Sequence, residues 1–217
     1  MVDRVIDVEG IDEILISTNL RFKDQFEKWL ESRKLSKASL IVEPSTREEE
    51  KLGAVKALAR ITERINDNCL IVAGDNLFTS SIRPLVERFR TTGMPVVGMY
   101  NIGDRELAKQ YSTISVDSDG RIVRFLEKPT NPESTLIGTA IYVLPRTTLP
   151  KLKEFTSFAR DQDSPGRFIE WLCTKEPTYG VALQGRWWDI GTLDQYAEIN
   201  RMIAEIGIEV LEPAEGP

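Results

Sequence analysis

The sequence predicts an α/β chain: a doubly wound, mostly parallel mixed sheet whose second half is rich in β-structure. Three observations carry that expectation. Residues 13–100 alternate short apolar runs with amphipathic stretches, the pattern of strands joined by covering helices. Beyond residue 110 the alternation gives way to strand pairs and turns. The 217 residues are 41% hydrophobic and 29% charged, enough apolar side chain to bury a core within one soluble domain. One domain over residues 1–208 is expected, with 209–217 as a tail.

The elements follow in order. Val2, Val5 and Ile6 open the chain in a helical pattern. Glu13–Thr18 reads as a strand, and Phe22–Leu35 as a helix with Phe22, Phe26 and Leu30 on one face. Leu40–Val42 is a short strand. Glu48–Ile65 is a helix opened by a capping box of Thr46 and Glu49. Cys69–Ala73 is a buried strand, Ser81–Arg90 a helix stopped by Gly93, and Met94–Tyr100 a strand. Ser112–Val116 and Arg121–Glu127 flank Asp117-Ser118-Asp119-Gly120, a hairpin turn. Leu136–Leu144 is a strand, Pro150–Phe158 and Phe168–Thr174 are helices, and Gly180–Leu183 is a strand. Leu193–Ile206 is a helix capped by Thr192 with Gln195.

Composition excludes several kinds of chemistry. The chain has no histidine, which rules out Ser-His-Asp and Cys-His catalysis and His-based metal sites. Carboxylates, Lys or Arg, and a hard cation such as Mg2+ remain. Phosphoryl transfer suits that inventory, because positioning and charge neutralisation do most of its work. A net charge of −6 without a basic cluster argues against nucleic acid. No run of eighteen apolar residues suggests a membrane span, and residues 1–20 do not read as a signal peptide. Cys69 and Cys173 have neither zinc spacing nor a disulfide framework; reduced core thiols fit a cytoplasmic protein.

Three short segments can carry chemistry. Ala73-Gly74-Asp75-Asn76 ends a buried strand, the edge where open α/β sheets meet their ligands. It can hold a divalent cation, or be an ordinary turn. Trp187-Trp188-Asp189-Ile190-Gly191-Thr192 sets a carboxylate between aromatics and a helix cap; it reads equally as core packing followed by a turn. Phe125-Leu126-Glu127-Lys128-Pro129 pairs a hydroxyl acceptor with a phosphate-binding ammonium at a strand end, or is a solvated charge pair.

The ordered set resembles the sugar-1-phosphate nucleotidyltransferase family, in particular its glucose-1-phosphate thymidylyltransferase branch. Leu70–Asn76 is similar to the family's strand ending in Gly-Asp-Asn, and Glu127-Lys128-Pro129 to its Glu-Lys-Pro. Trp188-Asp189-Ile190-Gly191-Thr192 is similar to its Trp-x-Asp-x-Gly-Thr less the spacer. Ile137–Leu144 resembles its Gly-Ile-Tyr strand, and Leu52-Gly53 its Leu-Gly-Thr nucleotide loop. The likeness runs from about residue 2 to residue 205.

That resemblance implies a Rossmann-like nucleotidyltransferase fold with a sugar-binding half. Asp75 and Asp189, 114 positions apart, would chelate one Mg2+ and act in catalysis. Lys128 would hold the sugar phosphate and Glu127 the sugar hydroxyls. Gly53 would pass under the base. Gly74, Asn76, Tyr111, Gly138 and Thr139 would line the substrates. The reaction implied joins a nucleoside triphosphate, dTTP or UTP favoured, to a sugar-1-phosphate, glucose-1-phosphate favoured, and releases pyrophosphate. A homo-oligomer is compatible with the family.

This sequence departs from the family at several places. The family opens with a central strand and a Gly-x-Gly-Thr-Arg loop that grips the triphosphate; nothing in Met1–Glu9 resembles it. Glu43 stands near where thymidylyltransferases read the base with Gln, and Ala54 replaces the Thr of the nucleotide loop. Tyr111-Ser112 replaces a Tyr-Gly that in the family lies against the sugar, and Ala140 replaces the Gly of Gly-Ile-Tyr, a swap that could narrow the sugar pocket. Two alternatives are therefore carried: a binding or regulatory module that keeps the cleft without turnover, and a metal-dependent glycosyltransferase using Asp117-Ser118-Asp119.

Overall fold

The computed structural model describes residues 2–6, 8–47, 50, 52–159 and 163–206. Its elements are α1 (Val2–Ile6), β1 (Ile14–Asn19), a 3-10 turn (Leu20–Phe22), α2 (Lys23–Arg33), β2 (Ala38–Glu43), α3 (Ala54–Thr62), β3 (Cys69–Val72) and β4 (Asn76–Phe78). There follow α4 (Arg83–Thr92), β5 (Val96–Asn101), α5 (Arg105–Ala108), β6 (Ser112–Val116), β7 (Ile122–Glu127) and β8 (Leu136–Leu144). Then come α6 (Pro150–Phe158), α7 (Pro165–Leu172), β9 (Tyr179–Ala182), β10 (Trp187–Asp189) and α8 (Leu193–Ile206).

The sheets are mixed, in keeping with the α/β class. β8 is the hub of a six-stranded sheet ordered β7-β6-β8-β5-β9, with β3 also paired to β8. β3, β5 and β6 each run antiparallel to β8, and β9 runs parallel to β5. Four strands therefore share one direction, yet most ladders are antiparallel because the reversed β8 lies among them. β1 and β2 form a separate parallel pair, and β4 and β10 an antiparallel pair. Among the described residues, neither pair joins the six-stranded sheet.

Alternation along β8 splits the core in two. Ile141 and Val143 face one cluster with Leu85 of α4, Val96 and Phe78. Tyr142 and Leu144 face the other, with Val55 of α3, Leu152 and Phe155 of α6, and Phe168 and Leu172 of α7. Helices thus cover both faces of the sheet, and β8 reads as a nearly continuous apolar run for that reason. Phe155, Phe168 and Trp171 meet in tilted and edge-on contacts with centroids 5.6 to 6.1 Å apart, the geometry that the ring quadrupoles favour.

The expected helix over 48–65 is shortened at its start. α3 begins only at Ala54. Gly53 sits at φ 85°, ψ 145°, outside the helical region and accessible at little cost only to glycine. The preceding loop is closed differently from a capping box. Glu50, one residue beyond the expected partner, accepts from the Thr46 amide and hydroxyl at 2.9 and 3.1 Å. Glu49 itself lies outside the described residues. Helix α7 begins earlier than expected, at Pro165, with Ser164 as its N-cap. The remaining long elements match their expected spans to within one to three residues, and β6, β8, α6 and α8 match at both ends. Thr192 and Gln195 form the expected reciprocal cap of α8, at 3.1 and 3.2 Å. The tail 209–217 lies outside the described residues.

No described helix is long and apolar enough to cross a membrane. Both cysteines are free. Burial pushes each thiol up to about 11, with the Asp67 charge adding at Cys69.

Candidate active site

Two three-residue strands that sequence periodicity could not register bring the main motifs together. β4 and β10 pair antiparallel with Asn76 opposite Asp189, Leu77 opposite Trp188 and Phe78 opposite Trp187. The Ile190 amide donates to the Asp75 carbonyl at 2.8 Å. This ladder sets Asp75 beside Asp189 across 114 positions of chain.

Side-chain bonds hold that ladder in place. Asn76, 4% exposed, donates its amide to Asp75 Oδ1 at 2.9 Å and accepts from Trp187 Nε1 at 2.6 Å. Its polar atoms thus brace the site. Trp187 packs against Tyr100 and Tyr111, with centroids 5.9 and 5.4 Å away. Sequence reading aligned Trp188 with the motif's tryptophan; the buried, bonded residue is Trp187. Counted from Trp187, the segment fits Trp-x-Asp-x-Gly-Thr with no omission.

The Asp189 carboxyl feels the charge of Asp75. Burial first, and then the Asp75 charge, raise the Asp189 carboxyl above its ordinary value. Lys128 and a hydrogen bond from Tyr111 act the other way. The Tyr111 phenol is raised in turn by burial and by Asp189. Asp75, Asp189, Lys128 and Tyr111 therefore form one electrostatic group.

The hairpin β6–β7 delivers the other half. Ser112 lies opposite Glu127 in the ladder, and the Lys128 amide donates to the Tyr111 carbonyl at 3.2 Å. Tyr111-Ser112 and Glu127-Lys128 thus face each other at one end of the sheet. Lys128 is held at φ 46°, a left-handed conformation uncommon for residues other than glycine and frequent where a site over-determines the backbone. Ala140 has φ 52° at the position where the family pattern has glycine, and its carbonyl accepts from the Ala73 amide at 3.1 Å, just before Gly74-Asp75.

Other candidate residues have distinct settings. Thr139 is fully buried and donates to the Gly98 carbonyl at 3.0 Å. Gly138 is half-buried, with Ile114 and Phe125 nearby. A Cβ on Gly74 would meet open space. Gly53 opens α3, and Glu43 accepts from the Leu52 amide at 2.9 Å, tying β2 to that loop. A cleft of about 410 Å³ opens beside Asp189, walled by Tyr100, Tyr111, Trp187, Trp188, Ile199 and Met202.

The Asp117-Ser118-Asp119 triplet sits at the far end of β6 from Ser112. Asp117 Oδ1 accepts from the Asp119 and Arg121 amides at 3.0 and 2.9 Å, so it serves the turn. Five residue steps at about 3.3 Å each separate it from Ser112 by roughly 16 Å.

The oxygen chemistry fits a hard divalent cation. Two neighbouring carboxylates, with the charge of Asp189 disfavoured by that of Asp75, are the donors such an ion prefers. Among the described residues no group of three or more His, Cys, Asp or Glu side chains gathers at one point. Asp75 and Asp189 would leave most of an octahedral shell to water and phosphate oxygens, as Mg2+ commonly does.

Fold and site together define a doubly wound α/β protein with an acidic pair, a lysine and a glutamate at one sheet edge. Comparison with known proteins places it more closely. The Nucleotidyl transferase family model matches residues 1–206, and the chain belongs to that family. It is 30% identical over 153 residues to a glucose-1-phosphate adenylyltransferase of Thermomicrobium roseum, covering 67% of this chain and 34% of the relative. It is 25% identical over 172 residues to a UTP–glucose-1-phosphate uridylyltransferase of Synechocystis, covering 76% and 43%. The chain thus spans less than half the length of these curated relatives. Among solved structures, one assigned as a glucose-1-phosphate thymidylyltransferase from Bacillus anthracis, in complex with a sucrose, superposes with a TM-score of 0.79 at 20% identity, covering 100% of this chain and 82% of that one. The fold is therefore the nucleotidyltransferase fold.

Proposed function

We propose that this chain transfers a nucleotidyl group from a nucleoside triphosphate, UTP or dTTP, to a sugar-1-phosphate, glucose-1-phosphate foremost, releasing pyrophosphate. The observation that carries this reading is the β4–β10 ladder, which brings Asp75 against Asp189 with Lys128 in the same field. The names of two relatives, a glucose-1-phosphate adenylyltransferase and a UTP–glucose-1-phosphate uridylyltransferase, support the substrate class.

The chemistry needs no histidine. The second proton of a phosphate monoester leaves near pH 6, so at neutral pH the sugar phosphate already carries a nucleophilic oxygen. That oxygen attacks the α-phosphorus in line; the new P–O bond forms as the bond to the β-phosphate oxygen breaks, and the electron pair departs with pyrophosphate. Lys128 neutralises the incoming phosphate. Glu127 accepts sugar hydroxyls. Tyr111 and Asn76 fix the orientations of Asp189 and Asp75. Gly53 lets the base approach the backbone, and Gly74 leaves room at the strand end. Asp75 and Asp189 would hold Mg2+, which supplies charge neutralisation and alignment of the two phosphates. The cleft beside Asp189 offers aromatic walls to the sugar ring.

A screen of nucleoside triphosphates against sugar-1-phosphates with Mg2+, read by pyrophosphate release, tests the reading. Release with at least one uridine or thymidine pair is expected. Binding of both substrates without release would instead mark a non-catalytic module, and sugar transfer from a nucleotide-sugar without pyrophosphate chemistry would overturn the reading.

A further inference from the structure

Glu127 is held from three sides by its own protein. Its Oε1 accepts from the Ser164 hydroxyl at 2.8 Å, and its Oε2 accepts from the Ser112 hydroxyl. The backbone of Gly166 closes the third side: a Cβ there would overlap the Glu127 carboxylate and come within 2.6 Å of the Ser112 hydroxyl oxygen. Any larger residue at 166 would have to displace the Glu127 carboxylate from this position.

The residue before Ser164 reaches the opposite way. Asp163 Oδ1 accepts from the Ala54 amide at 3.1 Å, across 109 positions of chain. Ala54 is the first residue of α3, directly after Gly53. Its amide is one of the donors that a helix start leaves without an intrahelical partner. Asp163 satisfies it from outside and so fixes where the Gly53 loop meets the helix.

Four consecutive residues, 163–166, therefore touch both loops that the proposed reaction uses. Their position is set in turn by α7: Ser164 is its N-cap and accepts from the Arg167 amide at 3.4 Å, and Pro165 occupies the first turn. The far end of α7 is anchored by Phe168, Ile169 and Leu172 in the core, so the segment cannot shift one end freely.

We propose that Asp163–Gly166 is a strap coupling the nucleotide loop at Gly53–Ala54 to the sugar-reading carboxylate of Glu127. This rests on the functional reading above for Gly53 and Glu127. Asp163 and Ser164 are positioning residues that act through those two contacts. An occupied nucleotide loop pulls Asp163 into register, and through Ser164 it orients Glu127 for the sugar hydroxyls.

The test is steady-state kinetics on the full chain with both substrates varied. Asp163→Ala, which removes the bond to the Ala54 amide, should raise KM for the sugar-1-phosphate at least about fivefold, the low end of typical coupling between sites, as well as KM for the triphosphate. The value of kcat and the melting temperature should stay near wild type. Asp163→Asn keeps an acceptor oxygen and should restore both constants to within about twofold. Should Asp163→Ala fail to fold, Ser164→Ala reads the same link from the sugar end, as a raised KM for the triphosphate. A rise in triphosphate KM alone for Asp163→Ala, with sugar KM unchanged, overturns the strap while leaving the functional reading intact. Wild-type protein that releases no pyrophosphate with any pair overturns the reading and the strap together.

Discussion

Two regions of this molecule share a sequence style and differ in what they bury. β1, β2 and α2 repeat the strand–helix pattern of a core βα unit, yet none of their side chains is fully buried. In β8, by contrast, Ile137, Thr139 and the run Ile141–Leu144 are all buried. The first region forms its own two-stranded ladder. The second lies among three neighbouring strands with helices on both faces. Apolar periodicity therefore decides which element forms, and the number of layers packed on it decides how much stability it returns. The chemistry follows the second region: every residue of the proposed metal and sugar group hangs from strands that lead into or out of that sheet, or from the short ladder beside it.

The largest test of this contrast is a pair of truncations. Ile141→Ala, at a fully buried position, should cost about 2–5 kcal/mol in chemical denaturation. Ile16→Ala in half-buried β1 should cost roughly 1 kcal/mol. Equal costs would break the comparison.

The thiols give a second test, specific to the packed region, because Cys69 and Cys173 both lean on the cluster beneath β8. Each thiol moves from 9.0 to about 11 on folding. The native state thus keeps these protons to higher pH than the unfolded chain. Stability should fall as pH rises from about 9 to about 11, and be unaffected by these groups below that window. At pH 8 the native thiols should react with a disulfide reagent about 100-fold more slowly than those of the unfolded chain. Matching rates would show the cluster to be open.

A smaller effect probes the brace between the packed sheet and the site. Trp187→Phe keeps the aromatic packing but removes the bond to Asn76. It should cost about 1 kcal/mol of stability, with a larger fractional loss of pyrophosphate release than of stability, because Asn76 also steadies Asp75. A variant with lowered melting temperature and undiminished release would remove Asn76 from the positioning role.

Much of this was readable from sequence, for reasons that differ element by element. β8 declared itself because a long apolar run stopped by Pro145 leaves little choice, and α6 because Pro150 opens a stretch with Leu152 and Phe155 at helical spacing. The Thr192–Gln195 cap was legible because both partners lie within one turn. β4 and β10 were not, since three residues hold no measurable period. Their pairing joins segments more than a hundred positions apart, which no local signal encodes. The delayed start of α3 follows from Gly53, whose helical neighbours masked a backbone value visible only in the fold. Ser164-Pro165 did carry a readable helix-start signal, but its bond to Glu127 did not, because that depends on α7 being laid across the end of the hairpin.

The central claim is that Asp75 and Asp189 act as one site. A double-mutant cycle on pyrophosphate release tests it most directly. Asp75→Asn and Asp189→Asn should each lower release by about 100-fold or more with the melting temperature little changed, and the double variant should be no worse than either single one, as for residues that act as a unit. Losses that multiply in the double variant, or either single variant retaining wild-type release, would contradict it.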